Sequence, residues 1–99
     1  MLNIEKTTNG KTIIMKISGR LDTTTAPQLE AAIDDCIADA GELIFDCSEL
    51  AYISSAGLRV ILKSQKQMNV QGSMKLIHVN ETIMEVFDIT GFADILTIE

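Results

Sequence analysis

The 99-residue sequence predicts a single small α/β domain spanning residues 1–99, built on a mixed, mostly parallel sheet of four to five strands with helices packed mainly on one face. Three observations lead there. Segments of period two and segments of period 3.6 alternate along the chain, which is the pattern of strands joined by helical crossovers. An Asn9-Gly10 pair near the start is a tight hairpin signal, so one strand joins antiparallel. The early strands alternate polar and apolar residues, whereas a sheet covered on both faces shows continuous apolar runs, so one face stays partly wet.

The elements follow in order. Leu2 to Lys6 and Thr12 to Ser18 alternate on either side of Asn9-Gly10, with Ile13, Met15 and Ile17 on one face. Beyond Gly19 the spacing becomes helical, with Leu29, Ile33, Cys36, Ile37 and Ala40 at intervals of three and four. Thr23, Thr24 and Thr25 offer caps for this helix, Pro27 suits its first turn, and Gly41 is its expected stop. Its acidic residues (Glu30, Asp34, Asp35 and Asp39) fall elsewhere on the turn and read as a solvated face.

Glu42 to Cys47 is the next strand, with Leu43, Phe45 and Cys47 on one side. A second amphipathic helix runs from about Ala56 to Asn69, carrying Leu58, Ile61, Leu62 and Met68 as its stripe, and Gly72 closes it. Met74 to Val79 reads as a strand, Glu81 to Ile89 as a short helix and Ile95 to Ile98 as a last strand.

Composition narrows the function. A net charge of −6 argues against direct nucleic-acid binding and against anionic membrane surfaces, both of which are held mainly by Lys and Arg. No apolar run approaches the ~20 residues of a membrane span, and the N-terminus lacks the charged-then-apolar order of a signal peptide, so neither membrane insertion nor export is expected. The expected location is cytoplasmic, where Cys36 and Cys47 read as free buried thiols. The lone His78, the absence of phosphate-loop or nucleophile-elbow patterns, and the scattered spacing of Asp22, Asp46 and Asp88 predict no enzyme, no metal site and no cofactor.

The most informative stretch runs from Asp46 to Leu62: strand, loop, then a helix opening with Ser54-Ser55-Ala56-Gly57. A serine at a helix start serves as an N-cap, which is sufficient reason for its presence. The same place presents unpaired N–H groups and the positive end of the helix dipole, so it also suits a phosphate. Gly57 would leave the backbone uncovered for a close approach. Arg59, Lys63 and Lys66 form a basic stripe further along, either a solvated face or the surface that meets an acidic patch of a partner.

This stretch resembles the signature of STAS domains in bacterial anti-sigma factor antagonists, matched here by Asp46, Ser48, Leu50, Ser55, Gly57, Leu58, Ile61 and Leu62. Gly19-Arg20-Leu21-Asp22 with Thr23, Ala26 and Leu29 resembles a second mark of the family, and Val86-Phe87 with Thr90-Gly91-Phe92 a third. The resemblance covers the whole chain. It implies a protein that binds an anti-sigma factor acting also as a serine kinase, frees the sigma factor while unmodified, and lets go once phosphorylated. A serine phosphatase is the other implied partner. By position Ser55 is the implied acceptor; Ser54 departs from the Asp that many members carry there and is a second candidate. Asp22, Thr23, Ser54, Ser55, Ala56 and Gly57 are the implied partner contacts, and Arg59 and Lys63 of the basic stripe are expected contacts beside them. The competing reading is an unphosphorylated STAS subunit that docks on an ABC-type lipid transporter.

Overall fold

A computed structural model describes all 99 residues, Met1–Glu99. Strands β1 (Leu2–Asn9) and β2 (Thr12–Leu21) form the antiparallel hairpin expected at Asn9-Gly10, where Gly10 takes a positive φ of 63°. Helix α1 (Ala26–Asp34), strand β3 (Glu42–Ile53), helix α2 (Ser55–Gln71), strand β4 (Ser73–Ile77) and helix α3 (Glu81–Thr90) follow. The sheet order is β1-β2-β3-β4, with β2, β3 and β4 parallel.

Register explains the one-sided core. Ile13, Leu43 and Met74 stand side by side across the sheet, as do Met15, Phe45 and Leu76. All of them are buried, and they form one apolar cluster with Leu29 and Ile33 of α1, Ile61 and Met68 of α2, and Ile83 and Phe87 of α3. The opposite face carries Thr12, Lys16, Glu42, Asp46 and Lys75, all partly open to solvent. Ile44 is the buried exception there.

Four details differ from the sequence expectation. Helix α1 stops at Asp34, and the chain continues through a short 3-10 turn, Ile37–Asp39, which buries Ile37 without prolonging the helix. Gly41 therefore lies just before β3 and does not cap α1. The last strand shrinks to one bridge, Leu76 to Ile98, so the sheet has four strands. On α2, Leu62 is only half-buried, while Val60, Ser64 and Gln65 turn inward.

The fourth detail shapes the site: β2 and β3 run on past Ser18 and Cys47. Lys16 faces Asp46 but Ser18 faces Glu49, and Gly19 faces Leu50 but Arg20 faces Tyr52, so β3 carries one extra residue at each slip. Such bulges bend a strand and tighten its twist. The first lies where Asp46 Oδ1 accepts the Ser48 N–H at 3.0 Å, which gives the Asp-x-Ser spacing a structural use. At the second, Gly19 holds a φ of 96°, a conformation that side chains resist.

Candidate functional site at the start of helix α2

The extended pairing of β2 with β3 brings the two sequence motifs together. Leu21 stands opposite Ile53, and the next N–H along β3, that of Ser54, donates to the Leu21 carbonyl at 2.9 Å. The loop of Asp22, Thr23, Thr24 and Thr25 is thereby fixed beside the first turn of α2.

The two serines have different surroundings. Ser54 has extended backbone angles, and its Oγ accepts the Gly57 N–H at 3.4 Å, the geometry of an N-cap. Ser55 is the first residue of α2; it is exposed, and its hydroxyl takes no part in the hydrogen bonds that hold its neighbours. Capping therefore accounts for Ser54 and leaves Ser55 unassigned.

Gly57 is buried, contrary to the uncovered backbone expected of it. A Cβ there would lie 2.6 Å from Leu21 Cγ and 3.1 Å from Ile53 Cγ1. The missing side chain lets α2 settle onto the ends of β2 and β3, so Gly57 sets where Ser55 stands. Gly57→Ala is expected to cost about 1–2 kcal/mol, the overpacking penalty less the gain in helix propensity. Urea unfolding measures it, and an unchanged midpoint would mean that α2 can lift off Leu21 freely.

Asp22 organises the neighbouring loop. Its Oδ1 accepts the Thr24 hydroxyl at 2.7 Å, the Thr24 N–H at 3.0 Å and the Thr25 N–H at 3.1 Å. The Thr24 hydroxyl is the main reason its carboxyl pKa falls to about 2, with the two amides adding to it. The folded value lies below the ordinary one, so this stabilisation is complete above the ordinary carboxylate range and is lost as pH falls toward about 2. Thr25, at the N-cap of α1, does not cap with its side chain. Its hydroxyl donates to the Arg20 carbonyl at 2.8 Å and accepts the Asp22 N–H at 2.8 Å.

Beside this turn a groove of about 540 Å³ opens between α1 and α2. Ala26, Ala56, Val60 and Leu62 supply its apolar lining, with Thr23 and Pro27 at the α1 end. Arg59, Lys63, Lys66 and Glu30 supply its charges. Lys63 Nζ reaches Glu30 Oε2 at 3.0 Å, a pairing that raises the lysine pKa and ties one wall to the other. Of the residues expected as contacts, Thr23, Ala56, Arg59 and Lys63 meet in this groove, Asp22 and Ser54 hold the loops beside it, and Ser55 stands at the head of the helix that forms one wall.

Sequence reasoning overlooked the pair Arg20 and Tyr52. The guanidinium lies 4.2 Å from the ring centroid and its Nε stands 3.7 Å from Asp22 Oδ2. Continuing the period of β2 through Leu21 would have placed Arg20 on the open face. Glu30, read as part of a solvated face, proves to be a groove wall.

Asp22, Asp46 and Asp88 sit on separate elements, and no three His, Cys, Asp or Glu side chains converge in a way that could hold a metal ion. Burial pushes the Cys47 thiol up to about 12 and also raises the half-buried Cys36, so neither is primed as a nucleophile. No helix is long and apolar enough to cross a membrane.

Comparison with known proteins adds a family. The candidate anti-sigma factor antagonist BtrV of Bordetella bronchiseptica is 39% identical over 89 residues, covering 87% of this chain and 76% of that protein. The anti-sigma-B factor antagonist of Bacillus subtilis is 31% identical over 98 residues, 98% of this chain and 90% of its own length. Among solved structures, an anti-sigma factor antagonist from Mycobacterium paratuberculosis superposes with a TM-score of 0.90 at 20% identity, over 99% of this chain and 85% of that one. The Bacillus antagonist SpoIIAA, also 20% identical, superposes at 0.82 in its unphosphorylated form, over 100% of this chain and 88% of that one. Its phosphorylated form superposes at 0.75, over 100% and 91%. Residues 3–99 match the STAS domain family, and with this fold and these relatives the chain belongs to it.

Proposed function

We propose that this chain is an anti-sigma factor antagonist switched at Ser55. Unmodified, it binds an anti-sigma factor that is also a serine kinase, and so releases a sigma factor in the cytoplasm. Phosphorylated on Ser55 it lets go, and a serine phosphatase restores it. Relatives at 39% and 31% identity that bear the antagonist name support the role. The observation that carries the choice of residue is the division between the serines: Ser54 is committed to the cap, and Ser55 is exposed with an unengaged hydroxyl.

The switch needs no refolding. A phosphate adds about −1.5 to −2 charges at neutral pH, and a dianion at the centre of a close contact loses hydration against a surface that fits a neutral serine. At the first residue of α2 the same group meets the positive end of the helix dipole, so the free chain tolerates it.

The test is phosphate mapping after incubating the purified chain with its cognate anti-sigma factor and ATP. Phosphate is expected on Ser55 in the wild type and in Ser54→Ala, and nowhere in Ser55→Ala. Stable co-purification with a transporter ATPase, with no phosphate on the chain, would replace this reading with the docking subunit.

A further inference from the structure

The groove between α1 and α2 carries an imbalance that the fold does not need. Its wall on α2 holds three cations, Arg59, Lys63 and Lys66, against the single carboxylate Glu30. Glu30 takes Lys63; Arg59 and Lys66 belong to none of the ion pairs in the molecule. Two unpaired cations thus line a depression with an apolar lining, on a chain whose net charge is −6. Complementarity favours an occupant that is locally acidic and brings small apolar side chains for Ala26, Ala56 and Val60. A nucleic-acid backbone fits poorly, since two free cations release few counterions and the rest of the chain repels it.

Position links this groove to Ser55. Arg59 lies four residues on, one turn along the same helix face, where side chains sit about 5–6 Å apart at Cβ. A guanidinium at that spacing reaches a phosphate on Ser55 and pairs with it through charge-assisted hydrogen bonds.

We propose that the groove seats an acidic segment of the protein partner, and that Arg59 is its switch: a phosphate on Ser55 takes this cation for itself and withdraws it from the groove. The proposal rests on the Ser55 reading above and adds a reason for release beyond repulsion at the serine. It makes Arg59 a positioning and specificity residue, and it gives Lys66 a role in binding that does not depend on the serine turn.

Two measurements test it. Lys66 is eleven residues beyond Ser55, about 16 Å along the helix, too far to touch a partner confined to the serine turn. Lys66→Glu is expected to weaken the complex with the anti-sigma factor at least tenfold at low salt, with an unchanged thermal melt; wild-type affinity would remove the groove from the interface. If the wild type itself binds no anti-sigma factor, the proposed function fails. The second measurement, made on the chain alone, still decides the role of Arg59. With phosphoserine installed at position 55 by genetic encoding, a phosphorus NMR titration reads its second proton. That proton is expected to leave at a pH lower by roughly half a unit in the wild type than in Arg59→Gln, because the cation favours the dianion. Coincident titration curves would overturn Arg59 as the switch.

Discussion

Ser55→Asp is expected to weaken binding to the anti-sigma factor about 100-fold, roughly 2.7 kcal/mol, while leaving the fold as stable as the wild type or slightly more so. The two halves of this expectation have separate causes. A carboxylate in the first turn of α2 meets unpaired N–H groups and the helix dipole, worth about 0.3–1 kcal/mol in favour of the folded chain. At a close interface the same charge must shed its water against a partner surface that fits a neutral serine. Calorimetric titration gives the affinity and a thermal melt gives the stability, so loss of binding cannot be mistaken for unfolding. Ser55→Ala is the control for charge: its hydroxyl makes no internal bond, and affinity should stay within about threefold. Ser54→Ala should show the opposite profile, losing about 1 kcal/mol of stability with its cap and little affinity. If Ser55→Ala lost as much affinity as Ser55→Asp, a hydroxyl contact and not a charge would govern the interface.

Phe87→Ala carries the largest expected cost in stability, about 3–5 kcal/mol. Phe87 is fully buried and, with Ile83, anchors α3 against the sheet. Met84 and Val86 pack half-buried beside them, and Asn80 caps the helix through the Ile83 N–H at 3.0 Å and donates to the Leu50 carbonyl at 2.8 Å. In a domain whose whole stability is about 5–15 kcal/mol, removing the ring takes a large share. The melting midpoint should fall on the order of 12–40 °C at about 4–8 °C per kcal/mol. Ile89, two residues on and 85% exposed, is the internal comparison, and Ile89→Ala should move stability by less than about 0.5 kcal/mol. Equal effects at the two positions would mean that α3 is not part of the cooperative core.

The legibility of the sequence varied with how local each signal was. The hairpin at Asn9-Gly10, the stripe of α1 up to Ile33 and the stop of α2 at Gly72 were all readable, because dihedral preference and side-chain period act over a few residues. The end of β3 was not readable. Leu50 and Ile53 keep their inward direction only because two bulges shift the phase, and a strict period of two breaks at such places. Cys36 and Ala40 matched the helical period, yet the chain left the helix at Asp34 to turn back toward β3. Ile95 to Ile98 had the composition of a strand, but a single bridge, Leu76 to Ile98, joins it to β4.

The sequence by itself determined the layered α/β class, the one-sided core and the segment in which to look for the site, since each follows from patterning within a short window. The roles of the individual residues there came from tertiary structure. Ser54 and Ser55 are identical side chains in adjacent positions, and only the direction of the backbone leaving β3 commits one to the cap and exposes the other. Gly57 looked like an open approach and is a packing contact, because Leu21, thirty-six positions earlier, fills the space beside it. The groove exists only where α1 and α2 lie together, and Lys63 finds Glu30 across it. Contacts between residues distant in sequence depend on how the elements pack, and no local pattern encodes that.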